Sequence, residues 1–311
     1  MCIRDRVFFV YNEENNSYEV LVDLFPHNSG SDISNLSVFQ NNLVFTLERD
    51  LREYVPAVDE HFSTGVSISG FPLYQDSANH FYERDRTLLN VRSSPYSEDS
   101  IAVDAISDVV RFEDEFWFVG RLKDTVSFIR SDGTTEGTAL AFNQIIAGDT
   151  TLLRTPNLLA TTDELILFPN RDDSFGEELW ATDGSAANTF LVKDIDEGSS
   201  GSFPDNFFRF HDQVLFSADN DLWASDGTES GTIFLSESTL DFRQGTVQID
   251  DRLYYSSSDD GLWTTDGTAD GTIELVGVDE MGERLRPSSM RRLNNDILFI
   301  HTHDVLSLIH I

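Results

Sequence analysis

Cysteine is almost missing from this chain, and basic residues are scarce. One cysteine in 311 residues excludes a disulfide framework. Lys plus Arg total 21 against 55 Asp plus Glu, a formal charge of −34 at pH 7 with a sequence pI near 4.2. Such a surface repels nucleic acid and anionic membranes, because binding to either needs clustered Lys and Arg. No long apolar run of membrane-spanning length is present, so direct membrane insertion is not expected. Extended helical periodicity is also absent. The sequence motifs GxSxG, HExxH, GxxxxGK[ST] and GxGxxG do not occur in a fitting context, and no catalytic residue is assigned. Acidic chains can be disordered, but 40% hydrophobic residues, including 24 phenylalanines, supply a sizeable core. The charge is therefore read as a coat on a folded body.

What the chain does have is repetition. A polar signature returns four times: SDGTTEGT from Ser131, TDGSAANT from Thr182, SDGTESGT from Ser225 and TDGTADGT from Thr265. Three copies follow a Leu-Trp pair, Leu179-Trp180, Leu222-Trp223 and Leu262-Trp263, which uses three of the four tryptophans. A unit repeated every 40 to 50 residues is a supersecondary element that needs its neighbours to bury an apolar face. Worn copies of the Leu-Trp slot are read at Phe8-Phe9, Leu73-Tyr74 and Phe128-Ile129. The spacing between markers falls from 65 residues (Phe9 to Tyr74) to 40 (Trp223 to Trp263), as variable loops on a constant scaffold would give.

Each unit reads as four short strands. The best copy places them at 190–195, 206–210, 214–218 and 221–225. Polar turns separate the second strand from the third: His211-Asp212-Gln213, with counterparts at Phe112-Glu113-Asp114-Glu115, Thr161-Thr162-Asp163-Glu164, Asp250-Asp251-Arg252 and Asn294-Asn295-Asp296. Four antiparallel strands per unit predict an all-β fold, a β-propeller of about six four-stranded blades with truncated ends. A lone strand near Phe8 and three strands over 273–300 would then combine to close the ring.

The aligned copies, and EELWATDGSAANTFLVKDI from Glu177 above all, resemble the ELWxxDGT repeat family of bacterial extracellular proteins. That resemblance covers nearly the whole chain and implies export or cell-surface placement. Residues 1–5 (MCIRD) and 306–311 (LSLIHI) resemble translations of the two orientations of a transposon-type sequencing adaptor. A single repeat domain, a fragment over 6–305, is therefore expected, with Cys2 outside it.

The DGT turns are the strongest site candidates. Asp132, Asp183, Asp226 and Asp266 recur before Gly133, Gly184, Gly227 and Gly267, and a rim of such turns could offer oxygens to calcium. Asp-Gly is also an ordinary turn pair, so these residues are read first as structural, with no metal assigned and no cofactor required. Trp180, Trp223 and Trp263 are read as packing between blades rather than as sugar platforms. Trp117, in the run 116–119, is read as core. The pair His301 and His303, the scattered His27, His61, His80 and His211, and the acidic pairs Asp172-Asp173 and Asp259-Asp260 are read as surface groups. The expected role is a non-catalytic extracellular module for adhesion to, or scaffolding of, a protein or glycan partner. The alternatives are a calcium-stabilised structural array and an accessory propeller of a secreted enzyme.

Overall fold

The structure is a computed structural model. It describes strand backbone along the chain, and side chains at 107, 109–121, 127–141, 158–240, 246–257, 261–277, 287 and 290. The described strands form eight antiparallel sheets, six of four strands and two of three. The first holds Cys2–Arg4, Val7–Asn12 and Ser17–Asp23; the second Ile33–Phe39, Asn42–Leu47, Asp50–Val55 and Glu60–Ser67; the third Tyr74–Gln75, Asn79–Arg84, Thr87–Arg92 and Ser97–Ile101. The fourth holds Asp104–Phe112, Glu115–Leu122, Thr125–Ser131 and Ala139–Leu140; the fifth Ala160–Thr161, Ile166–Asp172, Gly176–Thr182 and Thr189–Lys193. The sixth holds Asp205–Phe210, Gln213–Ala218, Asp221–Ser225 and Ile233–Ser236; the seventh Thr246–Ile249, Arg252–Ser256, Leu262–Thr265 and Ile273–Val276; the eighth Ser288–Leu293, Asp296–His301 and Val305–His310. The chain divides into two compact units, 1–106 with 131–138, and 107–130 with 139–311.

Three readings of the sequence change here. The strand after each DGT turn pairs backwards, onto the Leu-Trp strand it has just left, so it closes one sheet instead of opening the next. Tyr74 does not occupy the Leu-Trp slot; it lies on the edge strand Tyr74–Gln75, which pairs with Asn79–Arg84 alone. The terminal remnants do not merge into one sheet. Val7–Asn12 already has partners on both sides in the first sheet, and Asp296–His301 has both in the eighth. The long first interval holds a complete sheet of its own, over 33–67, and each end supplies three strands to a separate sheet.

The Leu-Trp slot explains how sheets pack. A register shift falls between Leu179 and Trp180, Leu222 and Trp223, and Leu262 and Trp263, and again between Phe8 and Phe9. Such a bulge bends the strand and re-aims its side chains. Leu222 is fully buried in a cluster with Leu215, Leu253 and Tyr255, which faces the seventh sheet. Its neighbour Trp223 is half-buried and packs the other way, onto the cluster of Leu179, Val192, Phe207 and Phe216 shared with the fifth sheet. The pattern continues: Leu262 faces forward to Met290, while Trp263 packs back against the cluster of Leu222 and Tyr255. Alternate strand residues point to opposite faces, so one dipeptide joins a sheet to both neighbours. Aromatic contacts tighten these layers. Phe207 stacks on Phe216 at 5.5 Å, and Phe128 meets Phe168 edge-on at 4.7 Å.

Truncating either half of the pair should therefore loosen a different interface. Leu222→Ala should cost about 2–5 kcal/mol and Trp223→Ala about 3–5 kcal/mol in urea unfolding. Unchanged stability in the tryptophan variant would place that ring on the surface and return it to the sugar-platform reading.

Candidate functional site

In the fifth, sixth and seventh sheets the DGT turn sits at the same end as the hairpin joining the first two strands. Register shows why: Val214 lies opposite Ser225, Leu253 opposite Thr265 and Ile166 opposite Thr182, next to those hairpins. Glu113, His211 and Asp250 open the two-residue hairpins with φ of 54°, 55° and 51°, the left-handed backbone that primed turns require.

Within each turn the aspartate bonds its own chain. Asp226 Oδ1 accepts from the Thr228 N–H at 2.8 Å and from the Thr228 hydroxyl at 2.7 Å. That hydroxyl oxygen accepts in turn from the Gly231 N–H at 3.0 Å. Ser225 Oγ accepts from the Gly227 N–H at 3.0 Å and pairs with Thr232 Oγ1 at 2.8 Å, while Thr232 donates to the Thr228 carbonyl at 2.7 Å. The same bonds recur around Asp132 and Asp266. The eight-residue signature is thus a closed hydrogen-bond circuit that turns the chain from the Leu-Trp strand into the outer strand.

Two glycines in the signature have separate reasons. The first takes φ of 85° to 91° and lies against the preceding sheet: a Cβ on Gly184 would meet the Trp117 ring at 3.0 Å, and one on Gly227 would meet Leu165 Cδ1 at 2.6 Å. At Gly267 the obstacle is the Gln213 amide, which donates to the Gly267 carbonyl at 3.2 Å. The second glycine lies beneath the carboxylate. A Cβ on Gly137, Gly231 or Gly271 would fall 2.1 Å or less from the aspartate Oδ1. The copy at Thr182 has Asn188 in that place and resolves the conflict by bonding: Asn188 Nδ2 donates to Asp183 Oδ2 at 2.7 Å. Hydrogen bonds from Ser185 and Asn188 hold the Asp183 carboxyl below its usual range, and the bond from Thr268, with Arg252 nearby, does the same for Asp266.

Each of these carboxylates bonds its own turn. Among the described residues, no three His, Cys, Asp or Glu side chains converge on a point where they could hold a metal ion. His211 is an exposed hairpin residue whose ring leans on Phe210, and Asp172 caps its own hairpin by accepting from the Ser174 N–H at 2.8 Å. His27, His61, His80, His301, His303, Asp259 and Asp260 lie outside the residues whose side chains are described. Trp117 is buried, with Phe112 and Phe128 against its ring.

One carboxylate was not singled out from sequence. Glu178, directly before Leu179-Trp180, is fully buried and accepts four hydrogen bonds: from the N–H groups of Ile195 (3.0 Å), Asp196 (3.2 Å) and Ser202 (2.8 Å), and from the Ser202 hydroxyl (2.6 Å). It pulls the linker 194–204 back onto the strand Gly176–Thr182. Burial pushes its carboxyl above the usual range, and the four donors partly offset that. The glutamate doublet of EELW was its only trace in the sequence.

No protein-family model matches the chain, and no curated protein matches it. Solved structures do resemble it. BamB from Moraxella catarrhalis aligns over 91% of this chain and 88% of its own, with a TM-score of 0.55 and 9% identity. An oligogalacturonate lyase from Vibrio parahaemolyticus covers 97% of this chain and 95% of its own, at a TM-score of 0.52 and 12% identity. The computationally designed protein Ika8 covers 99% and 91%, at 0.53 and 12%. At such identities the likeness concerns fold alone. The fold is all-β and propeller-like, built from four-stranded antiparallel sheets.

The circuit makes a prediction in which side-chain size and cost run in opposite order. Gly231→Ala should lower the melting temperature, since its methyl group strikes Asp226 and offers no bond in return. Gly231→Asn, although larger, should cost less, because its amide can reach the second carboxylate oxygen as Asn188 does. Thermal unfolding of both variants decides this; an alanine variant as stable as wild type would contradict the circuit.

Proposed function

We propose that this chain is a non-catalytic repeat module that acts outside a bacterial cell, presenting surface loops to a protein or glycan partner. The observation that carries this reading is the commitment of the recurring polar residues. All four DGT aspartates bond their own turns, and Glu178 bonds a linker, so the repeated chemistry of the chain is used in holding sheets together. What differs from unit to unit is loop and linker, where binding surfaces on rigid scaffolds are commonly placed. The ELWxxDGT-like repeats and the −34 charge support an exported protein, and the same charge disfavours nucleic acid as partner.

The test is a binding screen paired with an activity screen. Purified protein should bind saturably to at least one glycan or extracellular protein on an array, while leaving panels of glycosides, esters and peptides unchanged. Melting should shift equally with calcium and with magnesium at the same concentration, as screening of an acidic surface requires. Turnover of any substrate would contradict the reading. A shift with calcium alone, lost in the double variant Asp226→Asn and Asp266→Asn, would favour the calcium-stabilised array instead.

A further inference from the structure

Phe203 is the most exposed of the large hydrophobic side chains among the described residues, at 59%, and its backbone is in the left-handed region with φ of 52°. Both facts run against its chemistry. A bulky residue rarely takes positive φ, and the residue before a proline, here the buried Pro204, is further restricted. Such a conformation persists only where the surroundings fix it.

They do so here from three sides. The Phe203 N–H donates to the Glu177 carbonyl at 3.1 Å, and the preceding Ser202 gives both its N–H and its hydroxyl to Glu178. The Ser202 carbonyl accepts from the Asp219 N–H at 2.7 Å, on the hairpin of the following sheet. Gly201 lies so close to the strand Gly176–Thr182 that a Cβ on it would fall 2.4 Å from the Glu177 nitrogen. The ring is therefore presented to solvent by a backbone with little freedom. A second exposed aromatic accompanies it: Phe175, at 36%, precedes Gly176, whose own Cβ would fall 2.5 Å from the Gly201 nitrogen.

The surrounding charge is predominantly negative. Segments 171–177, 193–205 and 219–221 carry nine acidic residues, among them Asp173, Asp196, Glu197 and Asp219, against two basic ones, Arg171 opposite Glu177 and Lys193, which donates to the Thr232 carbonyl. Rigid aromatic anchors bind well because little entropy is lost on contact, and an acidic rim selects a cationic partner. We propose that Phe203 and Phe175 form a docking anchor for a segment of a partner protein that combines lysine or arginine with large apolar side chains. This rests on the reading of the chain as an interaction module and gives it a place and a partner chemistry. It lies at the end of the sheet opposite the DGT turns, since the hairpin 173–175 precedes the strand that runs into Asp183.

The experiment uses the full chain and two synthetic peptides of equal length, one alternating lysine with leucine and one alternating lysine with serine, titrated at physiological salt. The leucine peptide should bind about tenfold tighter than the serine peptide, and Phe203→Asn should remove that difference. Asparagine takes positive φ readily, so this variant should melt no lower than wild type, and about 1–3 °C higher if the strain is relieved. Loss of affinity together with retained or raised melting is what a merely structural phenylalanine would not give. Phe175→Ser should weaken the leucine peptide alone. An unchanged affinity in Phe203→Asn, a lowered melting temperature, or equal binding of the two peptides to wild type would overturn the proposal. Loss of binding in Phe234→Ser, on the outer strand, with Phe203→Asn unaffected would also overturn the anchor while leaving the interaction-module reading intact.

Discussion

The bond from each DGT aspartate to the residue two positions on is the constraint from which the rest of the unit follows. A chain leaving the Leu-Trp strand must reverse within a few residues and return as the outer strand, in a register that keeps its alternate side chains buried. A one-residue slip would turn the whole apolar set outward. The aspartate prevents this by holding the turn from inside, with the flanking serine or threonine bonded to the threonine seven positions later. Because the first glycine also lies against the preceding sheet, the turn that ends one sheet also fits it to the sheet before.

Packing adds a second connection through Leu-Trp. Its leucine points to the following sheet, and Trp223 and Trp263 pack onto the preceding one, so consecutive residues serve two cores. Trp180, Trp223 and Trp263 each leave the indole Nε1 buried without a hydrogen-bond partner. A cost repeated at equivalent positions means that the ring's buried area outweighs the unmade bond. Lys193 reinforces one such contact by donating to the Thr232 carbonyl at 2.9 Å while its ammonium group lies 6.0 Å from the centre of the Trp223 ring.

How far the sequence foretold this depends on whether a feature is local. The turns and hairpins were legible because Asp-Gly and its neighbours bond within eight residues, and the slot at Phe8-Phe9 was placed correctly enough that the same bulge occurs there. The phase of the unit was not legible, since strands 189–193 and 233–236 read alike whether they pair backwards or forwards. The slot at Leu73-Tyr74 matches by residue type alone, with no DGT turn after it, and Tyr74 lies on an edge strand instead. Glu178 escaped notice because its partners lie 17 to 24 residues away, in a linker that reads as a plain spacer until its backbone is seen folding onto the strand. Phe203 was hidden for the same reason. Nothing in SFPD announces a left-handed backbone.

The central claim is that each turn circuit holds its own outer strand in place. Amide hydrogen exchange in the Asp226→Ala variant tests it most directly, read residue by residue. The account predicts that the N–H groups of Thr228 and Gly231 and those of the strand Ile233–Ser236 lose protection together, while the equivalent turn at Asp266 and its strand Ile273–Val276 keep theirs. Protection unchanged in Ile233–Ser236, or lost equally in both sheets, would contradict it.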